Sequence, residues 1–474
     1  MLIGPFYVAH AIIALMLALI VVPLAAIPRR QSHAAFLASS ALLALIFLLS
    51  AYAFLSGVDV TVFIIFHLYQ FSAFFLGLFA FALLLVNALS YEHYQDFTRF
   101  SMFLSFAIVG MFVVAMANSL ITILLGLELM TLPTAFMIMT SGKYHIEAAV
   151  KLFILSAIAI GALSFAIALV FPYDLQLALS PVSSSALFTG ITPNAGNYLL
   201  ILSIILVAAA MGFEVAAFPF NLWVPDVYQG APGNVTALLA GINKKVAFVA
   251  LMEIFFVLFV QFQPIFSPVL ILLSIATMFY GNIVALVQTN VKRLLAYSSI
   301  SQAGYILIGL AVATQFGIEA SIVQIVAHLF MIIGAFAIVL WLESKNLRTL
   351  DDYNSLGYRN RFAAASLAIL MLSMAGVPPL LGFIGKFLVF SSAIDTRALL
   401  YLAVFGIVNS FISIYYYAKV IDHMYSGRSK ELLPMGRYTY AVVAVALAAT
   451  ILLGVYPNFL ISAASAASKA LLAL

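Results

Sequence analysis

Long stretches of the chain are almost purely apolar, such as 11–26 and 199–220, and the apolar positions run continuously instead of alternating with polar ones. Continuous hydrophobicity over bilayer-spanning lengths reads as transmembrane helix, whereas the strands of a membrane barrel alternate. Dividing the chain at polar and Pro/Gly clusters predicts fourteen spans, at 6–27, 34–56, 62–90, 100–117, 119–140, 146–171, 199–221, 234–261, 268–288, 297–314, 320–342, 362–390, 398–424 and 439–463. The expected fold class is therefore an all-α polytopic membrane protein. The longest connection on the less basic side, 172–198, is rich in Ser, Thr, Pro and Gly and is expected to be a surface loop.

Charge tests this segmentation. Of the twenty Lys and Arg residues, thirteen fall in alternate connections: Arg29, Arg30, Arg99, Lys143, Lys292, Arg293, Lys345, Arg348, Arg359, Arg361, Arg428, Lys430 and Arg437. The other connections and the C-terminal tail hold only Arg397 and Lys469. A missed or false helix would scramble the two sets, so the split supports fourteen spans with basic loops on the cytoplasmic side and both termini outside. The formal net charge of +4 has the same topological origin and does not point to nucleic acid. The chain of 474 residues is 66% hydrophobic and 8% charged and has no cysteine. Cysteine-ligated iron–sulfur clusters and disulfides are thereby excluded from it. No metal-ligand cluster, nucleotide loop or nucleophile triad is legible, and Tyr415, Tyr416 and Tyr417 read as interfacial belt and core packing.

Six ionisable side chains stand inside the predicted spans: Glu128, Lys151, Glu214, Lys244, His328 and Lys386. A charge at the centre of a membrane helix costs about 2.5–3.5 kcal/mol even on lenient insertion scales, so these residues must face protein or a wet path. Glu253 lies deep in the eighth span with no assigned role. Two spans are interrupted by proline, at Phe218-Pro219-Phe220 and at Gly376-Val377-Pro378-Pro379, each close to one buried charge, Glu214 or Lys386. A proline frees carbonyls that lipid cannot satisfy, and paired interrupted helices point to inverted repeats around a transport path. The seventh and twelfth spans are five apart. The expected organisation is helices 1–3 over 1–99, a first repeat of helices 4–8 over 100–261, a second, inverted repeat of helices 9–13 over 268–424, and helix 14 over 439–474.

Several of these residues stand in recognisable wording. The run 218–232, Phe-Pro-Phe-Asn-Leu-Trp-Val-Pro-Asp-Val-Tyr-Gln-Gly-Ala-Pro, resembles the loop after the seventh helix in the N-type antiporter-like subunits of respiratory complex I. The stretches 288–301, 376–378 with 382–387, and 126–129 resemble the same family in the same order. The resemblance implies fourteen helices, two inverted five-helix repeats, and proton translocation driven by quinone-linked redox chemistry in other subunits. NADH, reduced F420, ferredoxin and a plastoquinone-linked donor remain open. FMN, iron–sulfur clusters and quinone would belong to partner subunits, with no cofactor or metal on this chain. Partners would be other membrane subunits, including further antiporter-like ones, in a prokaryotic plasma membrane. Its key positions fall on Glu128, Lys151, Lys244 and Lys386, and an ungapped count of nineteen residues from Pro225 favours Lys244 over Lys245. Where the family places a seventh-helix lysine, this chain has Glu214.

The chemical expectation is a lateral proton relay. Glu128, Glu214 and Lys151 would form the input cluster, Lys244 and His328 the midplane, and Lys386 the exit carrier. Lys151 would supply the missing seventh-helix charge, so that Glu214→Gln would harm pumping less than loss of Glu128 or Lys386. The alternatives are an Mrp-type or stand-alone cation/proton antiporter, and a membrane scaffold whose charges are vestigial.

Overall fold

The computed structural model describes residues 4–26, 32–94, 97–140, 145–171, 198–429 and 431–473. The expected loop 172–198 lies almost wholly outside them, as do Arg29, Arg30, Lys143 and Lys430 of the basic set. Among the described residues thirteen helices are long and apolar enough to cross a bilayer, and the chain is an all-α integral membrane protein. In chain order the helices, shorter ones included, begin with α1 (Pro5–Ala26), α2 (Ser32–Ser56), α3 (Gln70–His93), α4 (Phe97–Ala115), α5 (Leu120–Thr140) and α6 (Ile146–Val170). The seventh span is α7 (Tyr198–Val215) followed, after a break, by α8 (Trp223–Gly230). The eighth runs through α9 (Gly233–Leu238), a π turn at Leu239–Asn243, α10 (Lys244–Glu253) and a second π turn at Ile254–Leu258. Then come α11 (Gln263–Leu286), α12 (Val291–Val312), α13 (Gln315–Glu343), α14 (Arg361–Ala375), α15 (Leu381–Asp395), α16 (Leu400–Tyr425), α17 (Arg437–Val455) and α18 (Asn458–Leu472).

The expected twelfth span, 362–390, is the pair of half-helices α14 and α15. Two other expectations are corrected. Residues 62–68, expected to open the third helix, belong instead to an antiparallel hairpin, β1 (Val60–Val62) paired with β2 (Phe66–Leu68), which turns at Phe63 and Ile64 with positive φ. The segment is apolar and β-branched, so hydropathy alone merged it with the helix that follows. The predicted last helix, 439–463, is two helices, because Pro457 cannot continue α17 and instead caps the start of α18.

Side-chain caps set the start of the central helices. Asn290, Thr314 and Asn360 accept from the backbone N–H of Arg293, Gly317 and Ala363 at 3.0–3.1 Å. The span 233–258, α12 and α13 are buried along their most apolar stretch, whereas α1, α2, α16 and α17 present exposed leucine, valine and phenylalanine as suits contact with lipid. Small residues bring α11 and α12 together. A Cβ added to Gly281 would come within 2.6 Å of the Ser301 nitrogen, and one added to Gly304 within 2.6 Å of Met278 Cγ. The buried charges are gathered on the central helices and beside the two breaks.

Candidate functional site

The break between α14 and α15 leaves helix-end carbonyls without intrahelical partners, and buried donors fill them. Gly376, at φ +95°, ends α14 in a left-handed conformation that favours glycine. Lys386 Nζ, one turn into α15, donates to the Ala375 carbonyl at 3.0 Å and to Ser410 Oγ at 3.0 Å, and lies 4.6 Å from the centre of the Tyr305 ring. Gln302 Nε2 donates to the neighbouring Met374 carbonyl at 3.0 Å.

From there a polar lane runs through the apolar interior. Gln324 Nε2 donates to Gln302 Oε1 at 2.8 Å, and Gln324 lies against Gly385, the residue before Lys386. Gln302 also reaches Tyr417 Oη at 3.4 Å, which is 2.5 Å from Ser298 Oγ. Beside it, Asn282 Nδ2 donates to Asn409 Oδ1 at 3.0 Å and to Tyr305 Oη at 3.3 Å, and Tyr416 Oη donates to Asn282 Oδ1 at 3.0 Å. Tyr416 and Tyr417 are therefore buried members of a hydrogen-bonded network. Of the three consecutive tyrosines only Tyr415 is exposed.

At the other end of the lane stand two adjacent lysines, both buried. Lys244 Nζ donates to Ser299 Oγ at 3.0 Å and lies 5.2 Å from the centre of the Tyr228 ring. Lys245, which the count from Pro225 passed over in favour of Lys244, points inward as well. Its Nζ donates to the Ala240 carbonyl at 2.7 Å and is 2.8 Å from His328 Nδ1. The π turn Leu239–Asn243 immediately precedes the pair and departs from the regular α-helical angular step. His328 stands one turn from Gln324 on α13, so Lys245, His328, Gln324, Gln302 and the Lys386 site follow one another through the interior as a series of buried polar groups, with no hydrogen bond joining His328 to Gln324 among the described residues. His328 Nε2 and Gln324 Oε1 have no hydrogen-bond partner among the described residues.

The carboxylates occupy the other break. Glu214 is the penultimate residue of α7 and is buried. Its Oε1 has no partner among the described residues, and the partly buried Glu128 of α5 is the charged group whose field reaches it. Ala216 adopts a left-handed conformation, φ +63°, and the Phe218 N–H is satisfied by Thr277 Oγ1 at 2.9 Å. Lys151 does not join these two acids. It lies near the start of α6, where its Nζ bonds Asp226 Oδ2 at 2.9 Å and Glu147 Oε1 at 2.8 Å. Arg293 binds the other oxygen of Asp226 at 2.8 Å and Gln229 Oε1 at 3.1 Å. The polar residues of the 226–229 motif thus clamp α6, α8 and α12 together. Long aliphatic stems let lysines near a helix end reach a polar surface, which is why Lys151 leaves the interior. Lys292, counted among the loop cations, is buried in the first turn of α12 and bonds Glu343 at 2.8 and 3.0 Å.

Ser298, Ser299, Gln302, Tyr305 and Gln324 were not selected from the sequence. The signal was present, since Ser298, Gln302 and Tyr305 recur at helical spacing in a span that is mostly apolar. Among the described residues no group of three or more His, Asp or Glu is placed to hold a metal ion.

Residues 117–413 match the family described as NADH:quinone oxidoreductase/Mrp antiporter, TM. NADH-quinone oxidoreductase subunit N of Desulforamulus reducens is 36% identical over 374 residues, covering 77% of each chain. F(420)H(2) dehydrogenase subunit N of Methanosarcina mazei is 35% identical over 405 residues, covering 81% of this chain and 80% of that protein. Among solved structures, a chain of respiratory complex I from Thermus thermophilus is similar with a TM-score of 0.81 at 26% identity, over 96% of this chain and 99% of that one. A chain of the Mrp complex from Dietzia sp. DQ12-45-1b is similar with a TM-score of 0.87 at 18% identity, over 97% of both, a likeness of fold alone. With more than half its length matched and relatives above one-third identity over most of both chains, this chain belongs to the NADH:quinone oxidoreductase/Mrp antiporter transmembrane family.

Proposed function

We propose that this chain is a proton-translocating membrane subunit of a complex I-like quinone oxidoreductase, in which redox chemistry in partner subunits drives protons through its buried charges. The observation that carries this reading is the series of buried polar groups from Lys245 and His328 through Gln324 and Gln302 to Lys386. Buried, hydrogen-bonded lysines with short polar links are what a relay needs, because each group must hold a proton and pass it to a neighbour without a cofactor. Charge motion supplies the coupling. At an effective dielectric of about 20, a unit charge at about 4 Å changes a neighbour's energy by roughly 4 kcal/mol, enough to load or empty it.

In this reading Glu128 and Glu214 are the input pair, and Lys244, Lys245 and His328 carry the midplane. Lys386 is the carrier at the far end. Flavin, iron–sulfur clusters and quinone are held by other subunits, and the neighbours in the membrane include further antiporter-like chains. The two breaks, each at the end of a helix and beside a buried charge, support the inverted-repeat organisation over 100–261 and 268–424. The basic connections support a prokaryotic plasma membrane orientation with the termini outside.

The Mrp-type alternative shares the family and the fold. The two relatives at 35–36% identity carry dehydrogenase names, which favours the first reading. Purification through a tag on this chain, followed by reconstitution, separates them. Co-purification with quinone-reducing subunits and donor-dependent acidification of vesicles is expected. Cation/proton exchange by the chain alone, independent of any electron donor, would establish the alternative.

A further inference from the structure

The relay described above leaves one buried acid unused. Glu253 ends α10, is 2% exposed, and neither carboxyl oxygen has a hydrogen-bond partner among the described residues. A carboxyl serving structure would be bonded, since leaving a buried polar group unsatisfied is destabilising. Tyr69, just before α3, is also buried, and its hydroxyl likewise has no partner among the described residues. The fields of Glu253 and Asp59 both reach it, and burial first, then these two charges, holds its phenol well above the usual tyrosine range. It therefore works as a neutral hydroxyl, accepting a proton on one side as it releases its own on the other.

The hairpin that Asp59 and Tyr69 flank, and that carries His67, is fixed in place. The His67 N–H donates to the Met116 carbonyl at 2.8 Å, the Asn118 N–H to Ile65 at 3.0 Å, and Asn118 Nδ2 to Ile64 at 2.8 Å. The His67 ring stacks on Tyr69, with centroids 4.6 Å apart, and its Nε2 bonds Asp59 Oδ1 at 2.8 Å. The Asp59 side chain is 70% exposed. From Glu253 to Tyr69, His67 and Asp59, titratable or hydroxyl groups thus run from the interior to the surface. Glu253 lies eight residues beyond Lys245 in the same span, about 12 Å of rise, a separation for a short water chain to bridge.

We propose that Glu253, Tyr69 and the His67–Asp59 pair form a second proton-access branch, joining the Lys245–His328 centre to water on the face that bears the hairpin. One proton arrives on the Glu253 carboxylate, Tyr69 passes one onward, and one leaves at His67–Asp59, so the branch returns to its starting state after each transfer. This inference rests on the proton-relay reading of the chain.

The test uses the intact assembly in vesicles, with donor oxidation and proton release measured together. Glu253→Gln and Tyr69→Phe are each expected to slow proton release about tenfold. That is less than the roughly hundredfold typical of a lone proton-transfer group, because the Lys386 end remains open. Glu253→Asp should restore part of the loss, which a merely space-filling role would not require. Infrared difference spectra during turnover should show a protonated carboxyl band that is missing from Glu253→Gln. Lys386→Met separates the two failures. If it stops pumping while Tyr69→Phe pumps like the parent, the branch is wrong and the relay stands. If neither it nor Glu253→Gln alters pumping, the relay reading itself falls and the branch with it. Should Glu253→Gln not assemble, Tyr69→Phe alone decides, because it removes only a hydroxyl that bonds nothing in the described structure.

Discussion

At the break after α14 the buried charge is a cation resting on a freed carbonyl, while at the break after α7 it is a carboxyl with one bare oxygen and a second acid nearby. The backbone device is shared, since both helices end in a left-handed residue and both continue after a proline. A helix end of this kind presents acceptors. Lys386 is a donor and is satisfied by Ala375 and Ser410, so it strengthens the break that it serves. Glu214 is an acceptor when ionised and cannot use those carbonyls, and the donors there go elsewhere, with the Ala217 N–H on Gly212 and the Trp223 indole on Phe213. One charge is compatible with stability as well as transfer. The other is kept against stability, which marks Glu214 as a chemical group more strongly than burial alone would.

The comparison is broken most directly at Lys386. Lys386→Met is expected to lower proton release by roughly a hundredfold or more, as loss of a proton-transfer group does. Dye-quenching assays on vesicles, read beside quinone reduction, would check it, and undiminished pumping would remove the functional half of the contrast. At the other break the two acids should behave as one unit. Glu128→Gln and Glu214→Gln are each expected to reduce pumping about tenfold, and the double variant no further, because coupled sites titrate jointly. Independent, multiplicative losses in that cycle would show that the acids do not share a proton. This revises the milder effect expected for Glu214→Gln, since Lys151 is committed to Asp226 and cannot compensate.

Lys151 sharpens the contrast from outside it. With 40% of its side chain exposed, Lys151→Met should change the stability of the assembly by no more than about 1 kcal/mol in a thermal melt and leave pumping intact. The smallest effect belongs to Asp352, a carboxylate with the donors that Glu214 lacks. Its Oδ2 accepts from the Arg348 and Thr349 N–H groups at 2.9 and 2.7 Å and from the Thr349 hydroxyl at 2.7 Å. These bonds hold its pKa below the ordinary 3.8. Its contribution is therefore present above that value and is lost as the pH falls through the lower folded one. Amide exchange at 348–352 should accelerate on acidification below about pH 4, and Asp352→Asn should reproduce the loosening at neutral pH.

The expected spans and the buried charges were legible because both rest on hydrophobic contrast, which a linear string records well. Lys244, His328 and Lys386 stood out as ions in hydrocarbon. What escaped depended on angle or partnership. Residues 60–68 have helix-like hydropathy but pair as strands. Lys245 follows a π turn that a regular helical projection does not anticipate. Lys151 was inside its predicted span by count but near enough to the end for its stem to escape. Gln302 and Gln324 are uncharged, so a search for charges passes over them, although they are the links between the charged sites.

The close seating of Gly281 and Gly304 has a mechanical corollary. With backbone against its neighbour at both glycines, α12 has no slack to slide as a piston or turn as an axle along α11 without a steric collision. Ser298, Gln302 and Tyr305 ride on that immobile rod. Switching in this part of the molecule must then come from rotating hydroxyls, flipping amides and shifting hydrogens within a stationary frame.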